Sequence, residues 1–243
     1  MNTTRRTATI VGVLYIIGTL AGVLSLVFTA PVRNAPDALI YIHANEYQVI
    51  IGALFVLLMG FALAMVPVMM FPISRKHNET LALGYVLFRG ALETVINMAI
   101  AISWLLLLML SQAYVQAGAA DVSNFQALGT DLLEAELLGS VNTIVFILGA
   151  LMFYFLLYQS KLLPRWISGW GLIAAVPYLA AGILVMFGLV DSMSTLDTVA
   201  RLPLAIQEMV LALWLIVKGF NPSALAIGTV KAGKVEVSLS TPS

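Results

Sequence analysis

The chain has 243 residues, 61% of them hydrophobic and 10% charged, with a formal net charge of zero. Soluble domains average roughly 45–50% apolar and about 25% charged, so this composition excludes an ordinary soluble fold and points to a membrane protein. Zero net charge leaves no basic footprint for nucleic acid, and the lack of cysteine excludes disulfides, thiolate metal sites and cysteine nucleophiles.

Arg5 and Arg6 precede a run, 8–29, that carries no charge. A spanning helix needs about 20 apolar residues, and this run supplies them. A cleaved signal peptide is the alternative, but its apolar core spans only ~7–15 residues, which favours an uncleaved first helix. Gly18 and Gly22 form a GxxxG step, a place where a neighbouring helix or a second copy is expected to approach closely. A loop follows with Pro31, Pro36 and His43. The second run is 47–71, and Pro67 and Pro72 are expected to fray or kink its end. A short polar loop containing His77 leads to the third run, 81–110.

The stretch 111–130 is polar and small and reads as the longest loop. Asp131, Glu134 and Glu136 mark the start of the fourth span, 132–158. A turn through Lys161, Pro164 and Arg165 leads to the fifth, 167–190, with Trp166 and Trp170 as an interfacial anchor. A loop to Arg201 leads to the sixth, 202–220, closed by Gly219 and Pro222. Residues 223–243 read as a flexible, disordered tail.

The reading is therefore all-α: a bundle of six transmembrane helices forming one integral membrane domain, residues 1–222. Arg5, Arg6, Arg75, Lys76, Lys161, Arg165, Lys218, Lys231 and Lys234 fall on one side, against Arg33 and Arg201 on the other. The positive-inside rule then puts both termini in the cytoplasm, across a cell membrane. Acids sort the other way and make the outer surface negative.

Charges within the runs single out a candidate site. Arg89, Glu93 and Asn97 are spaced four apart in the third run, along one drifting helical face. Charged groups at such depth must face something other than lipid. At ~1.5 Å of rise per residue, Glu93 lies ~18 Å in from one side and Glu208, on the sixth run, ~9 Å in from the other. Across a ~30 Å core those depths nearly coincide. Asn142 and Gln207 fall close by. Arg89, Glu93, Asn97, Asn142, Gln207 and Glu208 are thus the candidate ligand- or proton-binding layer.

Three accounts of that layer stay open: an interhelical network in which Arg89 pairs with Glu93 or Glu208, a polar pocket or proton path open to the outside, and catalysis. Arginine four residues ahead of glutamate is the weaker order for a helical pair. Arg89 is therefore also expected to snorkel toward the cytoplasmic face, leaving Glu93 and Glu208 to share a proton. No histidine falls within a span, Ser103 and Ser140 have no histidine base, and no H-E-x-x-H, Walker or G-x-G-x-x-G motif occurs. No catalytic residue, metal or cofactor is assigned.

Several segments together resemble a known family. They are Arg5-Arg6 ahead of Gly12-Val-Leu-Tyr-Ile-Ile, the Tyr85/Arg89/Glu93 stripe, Leu163-Pro-Arg-Trp-Ile-Ser-Gly-Trp-Gly171, and the stretch from Pro203 through Glu208 and Trp214 to Phe220. The pattern, over about residues 5–220, is similar to domain-of-unknown-function family 4386. The resemblance implies a multi-pass membrane protein without an established activity and supplies no catalytic residue. The expected role is non-enzymatic, a small-solute or proton-linked carrier or sensor with the bilayer and a solute or proton as partners. A membrane enzyme acting on lipid is one alternative. A structural subunit of a larger complex, or an oligomer joined through Gly18 and Gly22, is another.

Overall fold

A computed structural model describes residues 3–117, 122–133 and 137–226. Among these there is no strand. The elements are α1 (Thr3–Arg33), α2 (Ala38–Ala44), α3 (Glu46–Ser74), α4 (Glu79–Tyr85), a π-helical segment (Val86–Leu92), α5 (Glu93–Ala117), α6 (Val122–Leu133), α7 (Leu137–Ser160), α8 (Arg165–Met186) and α9 (Thr195–Val217). α4, the π segment and α5 form one continuous rod, Glu79–Ala117. Six helices are long and apolar enough to cross a membrane. Their outward side chains, such as Leu20, Val27, Leu54, Ile173 and Leu213, are apolar and exposed. That is the inverse of a soluble surface and fits a lipid solvent, where each helix satisfies its own backbone polar groups.

The spans pack as a closed ring in chain order. α1 lies on α3, α3 on the long third rod, that rod on α7, α7 on α8, α8 on α9, and α9 back on α1. The third and sixth spans therefore face each other across the ring interior, with side chains of the first and fourth filling the space between. The start of α1 and the end of α9 lie at one end of the ring, because Arg5 donates to the carbonyls of Leu215, Ile216 and Val217. Those carbonyls have no intrahelical partner, and the arginine also meets the negative pole of the helix dipole. Arg6, Arg75, Lys76, Lys161, Arg165 and Lys218 share this basic end.

Helix boundaries depart from the hydropathy reading where caps decide them. α8 stops at Met186 rather than 190. Gly188 takes φ +66, and Gly188 and Leu189 donate back to Val185 and Leu184, a glycine C-terminal motif. α9 starts at Thr195 rather than 202 because Ser194 caps it, accepting from the Asp197 amide at 3.3 Å. α3 continues through Pro67 and Pro72 to Ser74 without the expected fraying. The buried Ser74 hydroxyl ties the last turn back to the carbonyls of Met70 and Phe71. The stretch 111–130 is mostly helix rather than loop: α5 continues to Ala117, and α6 covers 122–133. Glu134, Glu136 and residues 227–243 lie outside the described residues; of the tail expected from 223, residues 223–226 are helical instead, with Ala224 buried in the core.

The Gly18/Gly22 step is used inside the chain. A β-carbon at Gly18 would meet Leu63, and one at Gly22 would meet Met59, both on α3. Within the chain the step serves α1–α3 packing, letting Leu63 and Met59 sit against the α1 backbone.

Candidate functional site

The π segment positions the central arginine. A four-residue repeat of inward residues drifts about 40° per step on a regular α-helix of 3.6 residues per turn. Tyr85, Arg89, Glu93, Asn97 and Ala101 nevertheless all remain buried. The π segment, 86–92, absorbs part of that drift by widening the helix over this stretch, and such segments recur at functional sites. Its backbone meets α7 at Gly149, where an added β-carbon would stand 3.1 Å from the Arg89 amide nitrogen.

Arg89 is the hub. Its Nη1 donates to Glu93 Oε1 at 3.2 Å and Oε2 at 3.1 Å, and its Nη2 donates to Glu208 Oε1 at 3.2 Å across the ring. Relative side-chain exposure is 3% for Arg89, 6% for Glu93 and 14% for Glu208. The guanidinium carbon lies 4.3 Å from the centre of the Phe146 ring, an arrangement that favours a cation over the ring face. Snorkelling does not occur: the cross-ring carboxylate and the ring beneath hold the arginine inward, so Glu93 keeps its nearest cation.

Toward the basic end the hub is walled by aromatics. Tyr15 and Tyr85 hydroxyls lie 3.0 Å apart, and Tyr85 stacks on Phe153 with centroids 4.2 Å apart. Tyr154 is buried beside Phe153. Toward the other end come Asn97 and Asn142, whose amides approach at 3.5 Å, the outer limit of a hydrogen bond. Asn97 Nδ2, Asn142 Oδ1 and Arg89 Nε are buried without a protein partner. Such groups are costly unless a water or ligand satisfies them.

Gln207 does not join this layer. Its Nε2 donates to the Ile167 carbonyl of α8 at 3.0 Å, so it clamps α9 to α8. Neighbours in a helical sequence point about 100° apart, and only Glu208 looks toward Arg89.

A second charged tier, nearer the end opposite the basic one, is invisible to the hydropathy reading, which placed Arg201 in a loop. Arg201 Nε donates to Asp197 Oδ1 at 2.6 Å, and Nη1 donates to the Thr143 hydroxyl at 2.9 Å. Its guanidinium carbon lies 4.9 Å from the Tyr178 ring centre, and Tyr178 meets Phe146 edge-on with centroids 5.2 Å apart. The two arginines thus lie over the two rings of one aromatic pair. Ser194-x-x-Asp197, a helix-start pattern, is the sequence signal that would have moved Arg201 into α9. No group of three His, Cys, Asp or Glu with the geometry of a metal site occurs among the described residues.

No curated protein and no solved structure matches the chain. A family model described as a domain of unknown function, DUF4386, matches residues 10–219, nearly all of the six-span ring with its central arginine and both glutamates, and the chain belongs to that family.

Proposed function

We propose that the protein is a proton-linked carrier or sensor of a small solute, working through Arg89, Glu93 and Glu208. One observation carries this reading: two buried carboxyls share a single guanidinium. Fully ionised, the cluster has net charge −1 in a low-dielectric interior, and a buried uncompensated charge is strongly unfavourable. Neutrality requires one more positive charge, either a proton on the carboxyl pair or a cationic group of a solute. The unpartnered amide atoms of Asn97 and Asn142, on the side facing away from the basic end, supply further polar contacts for an arriving group. The same reading treats 1–222 as one membrane domain. By the positive-inside rule it also sets the basic end in the cytoplasm of a cell, so the layer would load from outside.

Infrared difference titration of the protein in liposomes tests this. A carboxyl band that appears and disappears between pH 4 and 9, and is lost in Glu208→Gln or Glu93→Gln, is the expected result. Two carboxyls that stay ionised and silent throughout would reduce the triad to a static clamp. Proton counterflow driven by candidate solutes, read with a pH dye inside the liposomes, separates a carrier from a sensor.

A further inference from the structure

A cleft of about 590 Å³ opens at the basic end, between the α7–α8 turn and the end of α9. Lys161, Pro164, Arg165, Trp214, Lys218 and Asn221 line it. The turn that forms one wall is fixed. Leu162 and Leu163 are buried, so the chain dips into the bundle, and Lys161 takes the left-handed backbone conformation, φ 55. Asn221 locks the dip, donating its amide to the Leu162 carbonyl at 2.9 Å and its Nδ2 to the Lys161 carbonyl at 3.2 Å. A non-glycine residue held in that region marks a place the surrounding structure over-determines.

Among the described residues no acid pairs with the charges around this cleft. No described hydrogen bond or ion pair involves the ammonium of Lys161 or Lys218. The carbonyls at the end of α9, the natural attractor for Lys218, are already taken by Arg5. Arg165 uses only Nε, on the Tyr158 carbonyl at 3.3 Å, and lies over the Tyr158 ring. Of the described acids only Glu79 lies at this end of the ring. α8 also begins here, behind Pro164, with no side chain capping its first amides. The positive pole of a 22-residue helix therefore adds to the three cations. Trp214 meets Trp166 edge-on, with centroids 6.2 Å apart, as interfacial tryptophans that sit at headgroup level do.

We infer that this cleft binds a phosphate-bearing anion, either the headgroup of an anionic phospholipid or a free phosphate. Basic pockets between transmembrane helices suit that chemistry, and it is independent of the central triad.

The full-length protein is placed in nanodiscs of pure phosphatidylcholine or with about one third phosphatidylglycerol, and retained lipid is read by native mass spectrometry. Phosphatidylglycerol should be retained about tenfold over its share, and Lys161→Gln/Arg165→Gln/Lys218→Gln should abolish the excess. Arg75→Gln/Lys76→Gln, which removes charge from the same end but not from the cleft, should keep it. In pure phosphatidylcholine discs, millimolar inorganic phosphate that shifts tryptophan emission in the parent but not in the triple variant would assign the free anion instead. Equal lipid retention by parent and triple variant, together with no phosphate response, overturns the site. So does equal loss in the Arg75/Lys76 control.

Discussion

The two charged tiers of the ring are built from similar parts and balanced differently. In each, an arginine pairs with an acid four residues away on its own helix and lies over one ring of the Phe146–Tyr178 pair. The Arg201 tier is neutral: one Arg201, one Asp197, with the acid ahead of the arginine and the arginine a quarter exposed. The central tier has Arg89 against two glutamates, in the less favourable order, with the arginine 3% exposed. A pair that only held helices together would need no second carboxyl. In the proposed reading, the imbalance at the deeper position is what separates a site from a brace.

The largest expected effect is at Arg89. Arg89→Gln leaves Glu93 and Glu208 buried without their cation, and breaking a buried pair by removing one partner costs about 3–5 kcal/mol. The thermal midpoint in detergent should fall steeply, and adding Glu208→Gln should restore part of it by removing one of the stranded acids. An Arg89→Gln protein as stable as Arg201→Gln would break the distinction between the tiers.

Gly149→Ala comes next, because it presses on the backbone that carries Arg89. The new methyl would stand 3.1 Å from the Arg89 nitrogen and 3.2 Å from Phe88 Cβ, and neither group can swing away. Overpacking of this kind costs typically ~1–3 kcal/mol. Gly139→Ala on the same helix meets nothing within 4 Å and should be silent in the same melting assay. Arg201→Gln should cost less, about 1 kcal/mol, since a partly exposed pair gains little over its hydrated ions. It should leave the infrared carboxyl signal of the central tier unchanged.

The central tier was half legible in the sequence. Helix rise alone placed Glu93 and Glu208 at one height, and the Arg89/Glu93/Asn97 spacing marked the buried face. The sequence could not say that the third and sixth spans oppose each other, which follows from ring closure. Nor could it foresee the π segment, because backbone phase leaves no mark in composition. Adjacency misled at Gln207, where one residue of helix turns the side chain to another neighbour. Hydropathy misled at Arg201, because an apolar window ends at the first charge even when the helix, capped by Ser194, begins two turns earlier.

The smallest effect concerns Asp37, in the connection beyond α1, and it tests by pH whether the central tier is coupled to that end of the ring. Burial alone would raise the pKa of this carboxyl. The Ile40 amide at 3.0 Å, Gln126 Nε2 at 3.0 Å and the Tyr114 hydroxyl at 3.2 Å outweigh it and hold the pKa below the ordinary value of 3.8. A lowered folded-state pKa adds stability that is fully present above the unfolded value and is lost as pH falls through the folded one. Asp37 should therefore contribute almost nothing to any pH dependence between 9 and about 5. Below 4, α2 should loosen as its N-cap and the α5 and α6 contacts lose their charge. The pH profile of hydrogen exchange at the Ile40 amide reads this directly. Asp37→Asn, which keeps an acceptor for Ile40 but no charge, should flatten the acid limb at a cost of a few tenths of a kcal/mol near neutrality. A change at Ile40 between pH 5 and 8 would mean that proton exchange at the central glutamates reaches the end opposite the basic one, and the two regions would have to be treated as one coupled unit.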